Sequence, residues 1–257
     1  MISSYIQGGL GNQMFQVAAG YAHALRTDKA FCLIEGQHYL PLQGNNIDTY
    51  KNNVFRKISF KDYSTLGVLK EYGEDKHSYK KIKPVDDIIL CGYFQSEAYF
   101  SDYKDEIRSL FSAPAKLEKL ILGLYPFLGT ENSASLHIRR GDYLKNMKIH
   151  PTLGPEYYSE ALALTGALPE HTIVMSDDID WCKKVFGPKY IYSTQEDYID
   201  LYTIGKCKNR IIANSTFSWW GAWLTETDGK VIAPVKWFGA MGPQDTQDIL
   251  PQNWKKI

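Results

Sequence analysis

Two arginines, a glycine and an aspartate stand together in the stretch "HIRRGDY" of this chain. Arg139 and Arg140 follow the apolar run "ASLHI", which predicts a buried strand, and Asp142 comes two residues later. Because successive strand residues point to opposite faces, one guanidinium can face a ligand while the other pairs with Asp142 or a second domain. A guanidinium is a planar, permanently charged fork of donors that suits a diphosphate and stabilises a departing phosphate oxygen. The alternative is a surface arginine pair with a structural salt bridge, and the Gly-Asp turn at the strand's end favours a binding site.

A second polar turn, in "IIANSTFSWWGAWL", lies between a predicted strand and a predicted helix. Asn214, Ser215 and Thr216 supply amide, hydroxyl and backbone donors at the positive end of that helix, an arrangement that binds phosphate. Ser215 or Thr216 can equally cap the helix, and capping is compatible with phosphate binding. We expect the tryptophans that follow to pack the helix onto a sheet: Trp219, Trp220 and Trp223.

Two aspartates, Asp177 and Asp178, end the strand candidate "HTIVMS", where a carboxylate can accept hydrogen bonds from a base or a ribose. Asp178 and Asp180 also spell the D-x-D pattern of metal–nucleotide sites, but Asp178 is better placed to cap the helix that follows. The six histidines show no metal-binding spacing. We therefore expect no metal, and we expect His137 to orient the arginines from its strand.

A glycine-rich loop near the N-terminus, "IQGGLGNQMFQ", imitates a dinucleotide-binding fingerprint between a strand and a helix. The register of that fingerprint fails, because counting G-x-G-x-x-G from Gly9 places Met14 where a third glycine should allow close helix packing. Gly11, Asn12 and Gln13 stand at the mouth of the helix instead. The two amide side chains suit hydrogen bonds to sugar hydroxyls or phosphate oxygens, so we interpret this stretch as a sugar-nucleotide loop.

Strands and helices alternate along the C-terminal half, which predicts a parallel sheet with helices on both faces. The expected strands are residues 134–138, 171–176, 189–193, 210–214 and 230–234, and the expected helices are residues 155–168, 178–187, 195–208 and 217–227. The N-terminal half begins in the same way, with a strand, the glycine loop, a helix and the strand "AFCLIE". Residues 36–66 and 71–84 are polar or charged, and we predict surface elements or a flexible acceptor flap there. A domain boundary within residues 126–133 divides the chain into domains 1–130 and 131–257.

The bulk composition is that of an ordinary globular protein, with 44% apolar and 23% charged residues. Lysine and arginine balance aspartate and glutamate at 29 each, so no overall field attracts nucleic acid. The four cysteines form no C-x-x-C pair, which argues against a disulfide framework or a zinc site. No apolar run is long enough for a signal peptide or a membrane span. We expect a cytoplasmic protein, with a peripheral contact to the inner membrane left open.

Five stretches of the chain resemble glycosyltransferase family 11, the α-1,2-fucosyltransferases. In order they are "GGLGNQMFQ", "GYFQSEAYF", "HIRRGDY", "SDD" and "IIANSTFSWWGAWL". The resemblance implies an α/β glycosyltransferase-B architecture, in which two Rossmann-like domains face each other across a cleft. It also implies inverting, metal-independent transfer of L-fucose from GDP-β-L-fucose to the 2-hydroxyl of a galactose-containing oligosaccharide or lipid-linked glycan, as in O-antigen synthesis. The chain departs from the family in its middle region, which would set the choice of acceptor, and in "MFQV" where "LFQY" is usual.

The resemblance also implies roles for individual residues. Arg139 would contact the β-phosphate and help GDP to leave, with His137 and Arg140 supporting the pocket. Asp142 would orient these side chains, and Asp177 would hold guanine or its ribose. The other residues expected to bind the donor are Gly11, Gln13, Asn214, Ser215, Thr216 and Phe217. Asn12 is expected to join Arg139 and Asp142 as a catalytic residue.

Two other classes of protein remain open from the sequence. An NAD-dependent oxidoreductase would use the glycine loop together with Glu35 at the end of the next strand. A non-catalytic glycan-binding protein would use the aromatic side chains, which make up 14% of the chain and can pack on pyranose faces. No residue stands out as the base that would deprotonate an acceptor, since Asp142 and Asp177 each have another expected role.

Overall fold

The computed structural model describes residues 1–36, 45–128 and 132–257 of the chain. These residues form two compact units. The N-terminal unit comprises Met1–Ser112 and Asp245–Pro251, and the C-terminal unit comprises Ala113–Gln244 and Gln252–Ile257. The predicted boundary at residue 130 lies outside the described residues, and the division between the units falls earlier, after Ser112.

The N-terminal unit is built on short parallel strands and one long helix. Its strands are β1 (Ile2–Ser4), β2 (Leu33–Ile34), β3 (Phe60–Lys61), β4 (Lys70–Gly73) and β5 (Ile88–Cys91), and its helices are α1 (Leu10–Thr27) and α2 (Lys104–Leu110). Strands β1, β5 and β4 form one sheet in that order, and β2 pairs with β3. A parallel bridge between Ile2 and Phe31 links β1 to the segment that leads into β2. The buried face of α1 includes Met14 and Phe15, whereas Leu25 is exposed.

The stretches predicted to be surface elements or a flap contribute to the body of this unit. Tyr50, Val54 and Phe55 are buried, and β4 lies in parallel register with β5. Strand β4 is an edge strand with mostly exposed side chains. Charged residues are common on edge strands because they prevent pairing with other chains. That polarity explains why the pattern of residues 71–84 did not predict a strand, and residues 37–44 of the predicted flap lie outside the described residues.

In the described part of the C-terminal unit, six parallel strands form one sheet. The strands are β6 (Ala134–Ile138), β7 (Thr172–Ser176), β8 (Ile191–Tyr192), β9 (Asn209–Ile211), β10 (Val231–Ala233) and β11 (Lys255–Lys256). The helices are α3 (Ala115–Leu124), α4 (Pro155–Thr165), α5 (Ile179–Phe186), α6 (Asp197–Lys206) and α7 (Thr216–Trp223). The strands and helices predicted for this half are confirmed, β6 with its predicted ends, while α3 and β11 are additional.

The order of these strands identifies where a ligand should bind. The sheet runs β11-β10-β9-β6-β7-β8, and every neighbouring pair is parallel. Numbered by their appearance in the unit and followed from β8, the strands have the order 3-2-1-4-5-6 of the Rossmann nucleotide-binding fold. The order reverses between β6 and β9. Ligands of such sheets bind beyond the carboxyl ends of the strands at this reversal, so we expect the functional site where β6 and β9 end.

Arg210 on β9 is a buried arginine that satisfies backbone groups at the ends of two helices. Its guanidinium donates to the carbonyl oxygens of Gly205, Cys207, Ala222 and Thr225 at 2.6–3.0 Å. The carbonyls of a helix's last turn have no partner within the helix, so a buried helix end needs such donors. Burial lowers the pKa of Arg210 to about 10, and the group remains charged at neutral pH.

Replacing Arg210 with methionine should destabilise the C-terminal unit by about 3–5 kcal/mol, because several buried carbonyls lose their donor at roughly 1–3 kcal/mol each. Methionine keeps an unbranched apolar stem, so the loss reports mainly the hydrogen bonds. Urea unfolding followed by the fluorescence of the buried tryptophans measures the change. The control is the same substitution, Arg108→Met, on α2 in the N-terminal unit. If Arg210→Met lowered the free energy of unfolding by less than about 1 kcal/mol, the assignment of Arg210 as the donor to these carbonyls would be contradicted.

Candidate active site

Arg139 follows β6 next to the reversal of strand order, and two carboxylates hold its guanidinium. Its Nη2 lies 2.7 Å from Asp142 Oδ1, and its Nε lies 3.1 Å from Asp177 Oδ2. The guanidinium also lies 5.5 Å from the ring centre of Tyr143. Both contacts are ion pairs, and 34% of the Arg139 side-chain surface is exposed. Arg139 is therefore oriented, permanently charged and accessible to a ligand.

Arg140 has different partners, at the start of α5. Its Nε donates to Asp178 Oδ2 at 3.0 Å, and its guanidinium stacks 3.9 Å from the ring centre of Trp181. The hydrogen bond from Arg140 lowers the pKa of Asp178. Asp178 caps α5 as predicted, because its carboxylate accepts the Trp181 N–H at 3.2 Å. Arg140 thus ties the loop after β6 to α5, and any support it gives to a donor pocket is indirect.

Asp177 joins the two arginines instead of presenting both carboxylate oxygens to a base or ribose. One oxygen accepts the backbone N–H of Arg140 at 2.8 Å, and the other contacts Arg139 Nε at 3.1 Å. Gly141 permits this approach, because a Cβ at that position would lie 2.6 Å from Asp177 Oδ2. These contacts depend on β6 and β7 being neighbours, which the local sequence does not reveal. Asp177 therefore has the geometry of a positioning group for Arg139.

Tyr143 and Asn214 connect the two polar turns that the sequence indicated. The Tyr143 hydroxyl donates to the Asn214 carbonyl at 2.9 Å, and its ring stacks on His150 with 4.8 Å between ring centres. The buried Asn214 side chain donates through Nδ2 to the carbonyls of Pro151 and Trp237 at 3.0 and 2.9 Å. The amide NH2 of Asn214 thus braces loops and is not offered to a donor substrate. Tyr143 is a site residue that sequence reasoning missed, although it directly follows the Gly-Asp turn.

His137 is a buried, neutral histidine close to Arg139. Only 6% of its surface is exposed. Burial, and then the charge of Arg139, lower the pKa of His137 to about 3, so the ring is uncharged at neutral pH. Its ring centre lies 5.2 Å from that of Phe217, and its Nδ1 has no hydrogen-bond partner within the described ranges. A neutral imidazole with such an atom can bind a ligand oxygen without adding charge.

Helix α7 begins beyond β9, with Ser215 at its N-cap position. The Ser215 side chain makes no capping hydrogen bond, so the alternative role proposed for this hydroxyl is not observed. Thr216 and Phe217 are half-buried in the first turn. The first backbone N–H groups of a helix point outward at its positive end, where an anion is stabilised. The second polar turn therefore retains the features of a phosphate site.

The amides of the glycine loop lie in the N-terminal unit and differ in position. Gln13 is fully buried, and its Nε2 donates to the carbonyls of Gly8 and Asn45 at 2.9 Å each. It therefore braces the loop and does not offer its amide at the mouth of the helix. The reason is helical spacing, since Gln13 falls on the buried stripe that also carries Leu10 and Val17.

Asn12 is half-buried in the first turn of α1, beside the buried Gly11. Its Oδ1 accepts a hydrogen bond from Gln95 Nε2 at 2.9 Å. Gly8, which has a φ of 76°, lies against the NH2 group of Asn12. A Cβ added at Gly8 would lie only 2.5 Å from Asn12 Nδ2. Of the two predicted amides, only Asn12 lies at the surface of the helix start.

Glu74 is a half-buried carboxyl group that follows β4 and that sequence reasoning missed. Its two oxygens accept the backbone N–H groups of Tyr93 and Phe94 at 2.7 and 2.9 Å. Burial raises the pKa of Glu74 to about 7 against these hydrogen bonds, and the nearby Asp245 raises it further. No local signal distinguishes this glutamate, since its environment is formed by the turn after β5.

The raised pKa of Glu74 predicts a loss of stability as the pH rises. The folded protein holds the Glu74 proton more tightly than the unfolded chain, in which the carboxyl has its ordinary pKa of 4.5. The free energy of unfolding should therefore fall as the pH rises from about 4.5 to about 7. Glu74→Gln should remove this part of the slope. Unfolding of both proteins at about pH 5 and about pH 7.5 measures the difference.

The comparison between wild type and variant isolates Glu74 from other groups. Burial also raises the pKa of Asp200 to about 7, and this contribution is common to both proteins. Glu71→Gln, which changes an exposed carboxylate on β4, is the matched control. An equal slope in Glu74→Gln and wild type would show that Glu74 does not titrate in this range.

Within residues 1–36, 45–128 and 132–257, no group of three or more histidine, cysteine, aspartate or glutamate residues could hold a metal ion. No helix in these ranges is long and apolar enough to cross a membrane. Cys32, Cys91, Cys182 and Cys207 are all thiols.

The strand order is that of a Rossmann-type α/β protein, and Arg139 lies next to the point where it reverses. The family model of glycosyl transferase family 11 matches residues 1–257. An α-1,2-colitosyltransferase of Escherichia coli is 32% identical, over 100% of this chain and 99% of that protein. The O-antigen biosynthesis glycosyltransferase WbnK of Escherichia coli is also 32% identical, over 91% of this chain and 94% of that protein. The chain belongs to glycosyltransferase family 11, as the sequence resemblance predicted.

The fold is shared with a fucosyltransferase of known structure. NodZ from Bradyrhizobium has a TM-score of 0.55 at 13% identity, over 87% of this chain and 92% of that chain. NodZ, an α-1,6-fucosyltransferase, has also been co-crystallised with GDP. The predicted α/β class with parallel sheets is confirmed.

Proposed function

We propose that this protein transfers L-fucose from GDP-β-L-fucose to the 2-hydroxyl of a galactose-type acceptor, with inversion and without a metal. The observation that carries the proposal is the position of Arg139, held by Asp142 and Asp177 at the strand reversal of a Rossmann-type sheet. Membership of a glycosyltransferase family and the α-1,2 linkage in the name of one relative support it. We also propose that the two units form a glycosyltransferase-B architecture, as the family resemblance implies.

Leaving-group stabilisation is the main step assigned to the C-terminal unit. As the bond between the sugar and the β-phosphate breaks, negative charge grows on the phosphate oxygen. The exposed part of the Arg139 guanidinium can bind that oxygen, and preorganised donors of this kind contribute strongly to catalysis. Asp142 and Asp177 fix the guanidinium in place. The positive end of α7 can bind the same diphosphate, and neutral His137 can add a hydrogen bond.

No carboxylate of this site is assigned as a base for the acceptor hydroxyl. Asp142 and Asp177 are both committed to Arg139. We therefore propose a dissociative reaction, in which the leaving group departs well before the acceptor loses its proton. Asn12 would contribute from the N-terminal unit as a hydrogen-bond donor to the sugar nucleotide.

The identity of the transferred sugar needs its own test, because the relatives are named for different activities. Colitose is L-fucose without the 3-hydroxyl group. A site that hydrogen-bonds the 3-hydroxyl rejects the deoxy sugar strongly, since its polar groups would be left unpaired. A site with an apolar surface at that position would accept both sugars. We propose fucose on the family resemblance, with the comparison of GDP-fucose and GDP-colitose as the decisive experiment.

That experiment combines the protein with each GDP-sugar and a panel of β-galactosides, and measures released GDP. The expected result is acceptor-dependent GDP release with GDP-fucose, unaffected by a chelator, and a product whose NMR spectrum shows an α-1,2 bond. Faster release with GDP-colitose would overturn the choice of sugar but not the reaction class. No turnover with either donor, together with saturable glycan binding, would favour a glycan-binding protein.

The oxidoreductase alternative is tested in the same assay with NADH, whose oxidation the proposal excludes. Glu35, which that alternative requires as the ribose ligand, lies 3.8 Å from Lys51 Nζ. Family membership favours the transferase. We further propose that the reaction takes place in the cytoplasm, on an oligosaccharide or a lipid-linked glycan in a peripheral contact with the membrane.

A further inference from the structure

The carboxyl edge of the N-terminal sheet carries, besides Asn12, polar residues that the proposed reaction does not yet use. Strands β1, β5 and β4 are parallel neighbours, so the segments that follow them meet at one edge of the sheet. The glycine loop and Asn12 follow β1, the turn Gly92–Gln95 follows β5, and Glu74 and His77 follow β4. This edge is where open parallel sheets bind their ligands.

The turn after β5 is held in an unusual conformation. Phe94 has a φ of 51°, in the left-handed region that a bulky side chain rarely adopts. Glu74 maintains the turn by accepting the backbone N–H groups of Tyr93 and Phe94. Gly92 leaves room for Glu74, because a Cβ at that position would clash with the glutamate side chain. Strain of this kind persists where the surroundings enforce it, and it is frequent at functional sites.

The consequence of this turn is the position of Gln95. Gln95 is buried, with 6% of its surface exposed, and its Nε2 donates to Asn12 Oδ1 at 2.9 Å. The ring of His77 lies beside Gln95, and Asp245 lies near His77. Because Asn12 Oδ1 accepts from Gln95, the NH2 group of Asn12 is turned the other way, against Gly8. The amide of Asn12 is thereby oriented as a donor at the glycine loop.

We infer that Gln95 is a positioning residue that sets Asn12 to donate, and not to accept, a hydrogen bond at the sugar-nucleotide loop. This inference rests on the proposed function. If the Asn12 amide were flipped by about 180°, its oxygen would face the ligand in place of its NH2 group. That oxygen would repel phosphate oxygens, which carry no hydrogen. The strained turn held by Glu74 therefore serves to keep one donor in the correct orientation.

Gln95→Glu tests the inference with almost no change in shape. A carboxylate cannot donate to Asn12 Oδ1, so Asn12 should turn its NH2 group towards the new carboxylate and its oxygen towards the ligand. We expect kcat/KM for GDP-fucose to fall about tenfold, the scale of one hydrogen bond. Gln95→Leu, which removes the donor without fixing the opposite orientation, should have a smaller effect. A thermal unfolding midpoint close to that of wild type shows that each variant is folded.

The decisive comparison repeats Gln95→Glu in an Asn12→Ala background. If Gln95 acts through Asn12, Gln95→Glu should lower activity no further in the Asn12→Ala variant. An equal loss of activity in wild type and in Asn12→Ala would indicate a general structural role and would overturn the inference. A second readout needs no activity. In 15N NMR spectra, the side-chain amide signals of Asn12 should shift in Gln95→Glu, and unchanged signals would also overturn it. Wild type that is inactive with every GDP-sugar would instead refute the proposed function, and the spectra would still decide the orientation.

Discussion

Arg139→Ala should lower kcat roughly a hundredfold or more, which is the scale seen when one preorganised donor to a developing oxyanion is removed. The physical reason is specific to the arrangement at β6. Without the guanidinium, the leaving diphosphate loses its charged donor and meets the carboxylates of Asp142 and Asp177, which the arginine had neutralised. We therefore expect KM for the donor to rise as well. Steady-state GDP release across a range of donor concentrations measures both constants.

Three further variants separate this role from a structural one. Arg139→Lys keeps the charge but not the planar fork, so its activity should lie between those of wild type and the alanine variant. Asp142→Asn in the Arg139→Ala background removes one repelling charge and should recover part of the donor affinity. Arg108→Ala removes an arginine from α2 and should leave activity unchanged. Turnover near that of wild type in Arg139→Ala would show that another group stabilises the leaving diphosphate.

Much of the C-terminal unit could be predicted because short local sequence patterns determine its strands and helices. The apolar run of β6 between polar residues predicts both of its ends, and the position of Asp178 after a strand predicts a helix cap. Trp219 and Trp220 are buried in α7 as expected from their apolar helix. In each case the residues that determine the structure lie within one turn or strand of one another.

The features that the sequence did not predict depend on residues far apart in the chain. Asp177 contacts Arg139 only because β6 and β7 are neighbours in the sheet. Edge strand β4 has the polar composition of a loop, and only its register with β5 makes it a strand. Gln13 was expected to present its amide to a ligand, but the buried stripe of α1 includes it. Strand pairing, which no local pattern encodes, decides the first two, whereas helical spacing places Gln13 on the buried stripe.

Gly141→Ala should reduce kcat about ten- to a hundredfold, although it removes no functional atom. The added methyl would lie 2.6 Å from Asp177 Oδ2 and 3.1 Å from Asp177 Cγ, so the carboxylate must move. That carboxylate holds the Arg140 backbone N–H and the Arg139 Nε. Moving it releases the guanidinium from one of its two anchors, and a misplacement of this size at a catalytic group is sufficient for such a loss. The measurement is GDP release at saturating donor and acceptor.

In this explanation Gly141 affects Arg139 only through the position of the Asp177 carboxylate. A double variant tests that dependence directly. In an Asp177→Ala background the carboxylate is absent, so the methyl at position 141 meets no obstacle and should reduce kcat no further. Gly123→Ala is the matched control, because a Cβ on this glycine of α3 meets open space. A full additional loss in the double variant would mean that Gly141 acts through its own backbone. Gly141 would then lose its link to Asp177, although the ion pair between Asp177 and Arg139 would remain.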